Sequence, residues 1–299
     1  MYTGLDDIAA KVASGKLFTS PFFKLSGGTA YVAGNAYDLS LYTGLPVANT
    51  YPGTALNSVA PSESTGWGIY HGGNVTPDVK AVLNALAMAV GTNAAPGMLM
   101  LLDVALYYPG IDFRITTLQT MVQAAALSRY TDGRGLRAFA VAGTVTGTPA
   151  STPVVSVLNY RNQNDVDAAL TGVGAINFTA GAAGVPAVGK ILHCAPAANH
   201  HGPLLPLNAG DTGIKRINTF QLSTAYTGAT ALTGALVLAK LITVIPLAAV
   251  GVPGERSMFA PAPILPPIPD GACLTWVYFP GAAVAANSVF SGAIDFGWG

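Results

Sequence analysis

From residue 27 onward the chain alternates short apolar runs with clusters of Gly, Pro, Asn and Ser, a rhythm that predicts strands and turns. Strands are expected at 29–32, 36–42, 66–71, 98–108 and 136–145. A second series is expected at 154–160, 175–179, 190–194, 214–223, 232–245, 273–279 and 289–296. Within 232–245 the period is two: Leu236, Leu238, Ile242 and Val244 share one face, and Val237, Leu241 and Ile245 the other. Both faces are apolar, so this strand is expected to be buried on both sides.

Three segments follow a helical period instead. Leu5 to Ala13 places Ile8 and Val12 on one face and meets Gly15 as its stop. Between Thr76 and Gly91, Thr76 is a capping residue, Pro77 suits the first turn and Asp78 complements the helix dipole. Val79, Val82, Leu83, Leu86 and Val90 then form an apolar stripe. Residues 117–127 repeat the pattern with Leu118, Met121, Val122 and Ala125. The expected fold class is therefore all-β with one or two short helices inserted, arranged as a jelly-roll-like β-sandwich.

Three regions are expected. Residues 1–26 form an N-terminal helix and extended arm, 27–148 a β-rich domain with a helical insertion, and 149–299 a β-sandwich domain. The break falls in the Thr-, Gly- and Pro-rich stretch 144–153, read as a linker or long surface loop. The two larger parts either stand apart or merge into one composite domain. Two arms are the candidate contact elements: the aromatic one around Pro21, with Phe18, Phe22 and Phe23, and the Pro-rich one at 260–269, with Ile264, Leu265 and Ile268.

Composition changes this picture from a fold to a setting. Only 28 of 299 residues are charged, 14 of each sign, while 51% are hydrophobic. A compact chain of this mass exposes roughly 12,000 Å², about one charge per 400 Å². An ordinary domain has about 25% charged residues, and a charge-depleted surface is what interface cores share. Assembly with other protein is the expectation. Apart from Lys215-Arg216 and the group Arg129, Arg134 and Arg137 the cations are scattered, so no basic stripe for nucleic acid is expected. The start, Met1-Tyr2-Thr3-Gly4-Leu5, has no basic and apolar leader, and synthesis in a cytoplasm is expected. Residues 231–250 are the one membrane-like run, but Lys240 at its centre costs roughly 2.5–3.5 kcal/mol in a bilayer, so a buried strand is favoured over a span.

Candidate chemistry is sparse. Asp211-Thr212-Gly213 matches the aspartic-protease triplet, but Ala209-Gly210 precede it where that family has apolar residues, and a turn is the favoured reading. His193, Cys194, His200 and His201 crowd together without the paired spacing of a zinc site. Cys194 and Cys273 read as two free thiols rather than a disulfide framework. Trp67, Tyr70, Tyr107 and Tyr108 offer an aromatic platform for a sugar. No nucleophile elbow, phosphate loop or zinc-protease motif occurs. The expectation is a protein that is not an enzyme, with no catalytic residue, no metal and no cofactor.

Several stretches resemble tailed-bacteriophage virion proteins encoded close to the major capsid protein. They are Met100-Leu101-Leu102-Asp103 through Tyr107-Tyr108-Pro109, Arg129-Tyr130-Thr131-Asp132-Gly133, and Gly202-Pro203-Leu204-Leu205-Pro206-Leu207 leading to Asp211-Thr212-Gly213-Ile214. Ile268-Pro269-Asp270-Gly271-Ala272 and the terminal Phe296-Gly297-Trp298-Gly299 complete the set. The resemblance implies a decoration or cement protein that binds the major capsid protein on the phage head, often as a homotrimer; from the charge distribution and the run around Lys240, neither nucleic acid nor membrane is expected as a partner. The alternatives it leaves are the major capsid protein itself and a tail or receptor-binding protein.

Overall fold

Helix α1, Leu5–Ala13, forms where the period places it, with Asp6 and Asp7 in its first turn, Lys11 in its last and Gly15 beyond in the left-handed region. The computed structural model describes residues 5–28, 30–150, 153–170, 176–179, 188–194, 203–258 and 265–299. Its first strands are β1 (Leu17–Leu25), β2 (Ala36–Asp38), β3 (Gly44–Leu45), β4 (Lys80–Val90), β5 (Gly97–Asp112) and β6 (Gln119–Thr120). Then come β7 (Leu136–Ala150), β8 (Val154–Asn162), β9 (Asp167–Ala169), β10 (Ile176–Thr179), β11 (Lys190–Cys194) and β12 (Ile214–Thr224). The last are β13 (Thr227–Leu247), β14 (Gly254–Ser257), β15 (Pro267–Ile268), β16 (Leu274–Pro280) and β17 (Val289–Trp298).

The chain is all-β apart from its short helices, but it is not a jelly-roll sandwich. Strands β2, β16, β5, β13, β7 and β11 pair antiparallel in that order, and β11 returns to β2 through Lys190 opposite Tyr37 and Ile191 opposite Ala36. That last pairing closes a six-stranded barrel, whereas the sheets of a sandwich keep free edges. Two further sheets lie outside it. One runs β14-β4-β17-β1-β3, with β15 also on β4; the other joins β6, β12, β8 and β9, and β10 links β8 to β11.

Three cores follow from this layering. Inside the barrel lie Ala36, Val104, Phe139, Val141, Ile191, Val237, Ala239 and Val277. Six strands enclose little space, which explains the Ala and Val content. Between the barrel and the first outer sheet, Leu99, Leu101, Trp276 and Tyr278 pack on Phe22, Val82, Ala85, Phe290, Ile294 and Phe296. Leu106, Tyr108, Leu236 and Leu238 instead pack on Val155, Leu158, Ile217, Phe220 and Leu222 of the second sheet. A barrel strand is thus covered on both faces, and each fully buried Leu, Val or Phe contributes roughly 1.5–3 kcal/mol. At Gly234 a Cβ would collide with the Val141 carbonyl oxygen, so β13 and β7 approach closely there only because that residue is glycine.

Several expectations are corrected. Residues 76–91 are not a helix: 80–90 form β4, with Ala85, Ala87 and Ala89 alternating into the core and Leu86 and Val90 partly exposed. The same apolar residues satisfy both periods, and sheet packing overrides the helical propensity of Ala and Leu. Residues 117–127 are extended as well, with Gln119 and Met121 buried while Leu118 and Val122 face solvent. Residues 144–150 are no linker but the outer part of β7. The barrel takes β2, β5 and β7 from residues 27–148 and β11, β13 and β16 from residues 149–299. In β13 the two-face reading holds for Leu236, Val237 and Leu238, but irregular pairing between Leu241 and Thr243 changes the phase and sends Ile245 to an outer core.

Candidate functional site

The aromatic segment at 17–25 is extended as expected, and it is a strand of the first outer sheet. Along β1, Ser20, Phe22 and Lys24 point inward while Leu17, Thr19, Pro21 and Phe23 point outward. Its ladder with β17 runs from Leu17 opposite Gly297 to Leu25 opposite Val289. On the other side, among the described residues, β1 pairs only with the two-residue β3, with Phe23 opposite Leu45 and Lys24 opposite Gly44. A Cβ at Gly44 would collide with the Phe23 carbonyl oxygen, so this contact needs glycine.

The loop carrying β3 is held by a buried cation. Lys24 Nζ donates to the carbonyl oxygens of Pro46 at 2.6 Å, Tyr42 at 3.2 Å and Val47 at 3.5 Å. Burial lowers its pKa to about 8, and the nearby Asp38 carboxylate partly opposes that shift. Asp38 Oδ2 accepts from the Tyr51 hydroxyl and Oδ1 from the Ser40 amide at 2.9 Å, while burial raises its pKa.

A second buried lysine holds the neighbouring loop. Lys80 Nζ donates to His71 Nδ1 at 2.7 Å and to the Gly73 carbonyl. An ammonium can only donate, so Nδ1 is the unprotonated nitrogen and Nε2 carries the proton it gives to the Ala272 carbonyl at 3.0 Å. Glu63 Oε1 accepts from the amides of His71 and Gly73 at 3.0 and 3.2 Å. Burial, then Lys80, depresses the His71 pKa.

These two loops and β1 enclose a groove of about 340 Å³, lined by Phe18, Pro21, Leu45, Pro46, Val47 and Tyr70 among others. Phe18 meets Tyr70 edge-on, with ring centroids 5.2 Å apart. Around the groove, Phe23 is 41% exposed, Leu45 53%, Tyr70 55% and Val47 60%. Apolar side chains are therefore offered to solvent by backbone that buried polar groups fix in place, which is the arrangement of a preorganised contact surface.

The structure separates the candidate contact residues. Phe18 and Phe23 belong to the groove and its margin, whereas Phe22 is buried against Trp276 at a centroid distance of 4.9 Å. Leu265 packs on the core, Ile268 in β15 is buried, and Ile264 lies outside the described residues. Of the aromatic platform, Trp67, Tyr107 and Tyr108 are buried and only Tyr70 is exposed, so they share no binding face. Asp211 stands in the turn before β12, accepting from the Tyr160 hydroxyl at 2.6 Å and Asn162 Nδ2 at 2.8 Å. His193 and Cys194 lie in β11, His200 and His201 lie outside the described residues, and Cys273 is a free, buried thiol.

Sequence reasoning missed the buried ions. Arg129 donates to Asp103 from Nε at 2.8 Å and Nη2 at 2.7 Å, and the Cys273 amide donates to the same carboxylate at 2.9 Å. Lys24, Asp38, Lys80, Asp103, Arg129 and Lys190 are all buried. The available signal at Lys24 was its parity, two residues from Phe22 on the inward face. With six of the 28 charges removed, 22 remain for a surface of 11,728 Å², about one per 530 Å². Comparison with protein-family models, curated proteins and solved structures found no match.

Proposed function

We propose that the chain is a structural protein of a tailed-bacteriophage head, seated on the major capsid protein and stabilising the shell. The observation that carries this reading is the fixed apolar groove formed by Phe18, Leu45, Pro46, Val47 and Tyr70 on a surface with so few charges. A surface of that kind loses less solvation on meeting protein than a charged one does. The resemblance of residues 100–109, 129–133 and 202–214 to virion proteins supplies the particle, and threefold self-association fits the same reading.

The mechanism is mass action. A subunit that binds the assembled shell in preference to separated capsid subunits shifts the equilibrium toward the shell by its differential affinity, without a covalent step. Quantitative mass spectrometry of purified particles tests the role. Copies on the order of hundreds per particle fit a lattice-wide component. A few dozen or fewer would place the chain in the tail, and none at all would remove the proposal.

A further inference from the structure

One end of the barrel opens into a cavity of about 310 Å³, at the lower end of the roughly 300–1,000 Å³ of small-molecule sites. Its wall continues the inward face of the barrel strands at a period of two. Met98, Met100 and Leu102 come from β5, Arg137 and Phe139 from β7, Ala239 and Leu241 from β13, and Val277 and Phe279 from β16. Ile191 of β11 and the pair Pro203 and Leu204 complete it. Leu102, Phe139, Ile191 and Val277 are barrel-core residues, so the cavity runs down between the strands rather than over them. At the rim Met98 and Leu241 are 41% and 49% exposed, which makes the entrance itself apolar.

Arg137 is the single charged residue in this wall among the described residues. No carboxylate pairs with it among the described residues, which include every Asp and Glu of the chain. Its Nη2 donates to the Leu205 carbonyl at 3.1 Å, while Nε is buried and meets no acceptor among the described residues. A partly buried cation without a carboxylate partner favours an anionic acceptor, and an apolar cavity beside it has room for a slender hydrocarbon.

We infer that the barrel mouth is a binding site for a single-chain hydrocarbon acid, with the chain between the barrel strands and the carboxylate at Arg137. The flexible thioethers of Met98 and Met100 suit such a chain, because Met adapts its shape at low cost. The ligand is a free single-chain acid rather than a two-chain bilayer lipid, since the cavity's volume of about 310 Å³ lies at the lower end for small-molecule sites. This site lies on the barrel, away from the groove of Phe18 and Tyr70, and does not depend on the role proposed for that groove.

Calorimetric titration of the purified full chain with laurate, and with dodecanol as the uncharged control, tests the inference. Laurate is expected to bind one per chain and at least tenfold more tightly than dodecanol. Arg137→Leu should remove that preference, and Leu241→Glu, at an exposed rim position, should weaken laurate at least tenfold without altering the fold. Failure of laurate to bind the native chain would overturn the inference, as would binding that neither substitution changes. Flotation with phosphatidylglycerol vesicles but no laurate binding would overturn it too. So would an apolar side chain of a neighbour seated in the mouth in assembled particles when the free chain ignores laurate.

Discussion

The ammonium of Lys24 lies 2.6 Å from the carbonyl oxygen of Pro46, and through that contact a strand of the outer sheet holds the loop that presents Leu45 and Val47 to solvent. Replacing Lys24 with Met leaves buried carbonyls without a donor, at a cost of about 1–3 kcal/mol, partly offset by relief of the buried charge. Urea unfolding at pH 7 should show a net loss within that range, and limited proteolysis should cut faster within residues 42–47. The sign with pH is opposite to that of an ordinary surface lysine pair. The folded pKa is about 8, below the roughly 10.4 of an unfolded lysine, so the unfolded chain holds the proton over that window. Lys24 therefore adds stability as pH rises from about 8 toward 10.4, and the gap between native chain and Lys24→Met should widen.

His71 makes the acid side testable. Its folded pKa is depressed below the usual 6.5, first by burial and then by Lys80 at 2.7 Å, so it is neutral in the folded chain at pH 7. As pH falls below about 6.5 the unfolded chain takes up a proton that the folded chain refuses, and stability drops by at most about 1.4 kcal/mol per pH unit from this group. His71→Gln should remove that part of the slope between pH 6.5 and 5. An unchanged slope in the variant would show that the imidazole is not the group responsible.

The pair of Asp103 and Arg129 is buried on both sides, with side-chain exposures of 0% and 4%. Arg129→Met strips the carboxylate of its cation and frees the Pro61 and Val104 carbonyls that the guanidinium also contacts. A loss of about 3–5 kcal/mol in chemical denaturation is expected, because one charge remains buried alone. Replacing both residues by apolar side chains of similar volume should recover much of that loss.

Val47 and Leu45 are exposed, so Val47→Lys and Leu45→Lys should change folding stability by no more than about 0.5 kcal/mol. Both should weaken binding to assembled shells at least tenfold, about 1.4 kcal/mol, in a co-sedimentation titration. Variants that fold normally and bind as the native chain does would place the contact surface elsewhere.

The strands were legible where alternation and turn residues agreed. Lys190–Cys194 was read with its exact bounds, and 214–223 and 289–296 with small errors at one end. The closure of β2 between β16 and β11 was not legible, because an apolar strand covered on two sides looks the same in a barrel and in a sandwich. β4 was misread because Val82, Leu86 and Val90 recur at a helical spacing, while the Ala85, Ala87 and Ala89 alternation that the sheet uses carries little hydrophobic weight. For the groove, Phe18 and Phe23 stood out as aromatic residues. Leu45 and Val47 did not, and Tyr70 stood out only as part of a platform with Trp67, Tyr107 and Tyr108, since the nearness of these residues to β1 depends on Lys24, Lys80 and His71 acting through space.

The most direct measurement is a cryo-EM map of intact particles purified from cells that produce this chain. The expected map shows the chain repeated across the shell, with Leu45, Val47 and Tyr70 buried against a capsid subunit or a second copy. Particles without the chain, or a bound chain with those three side chains facing solvent, would contradict the assembly role assigned to this surface.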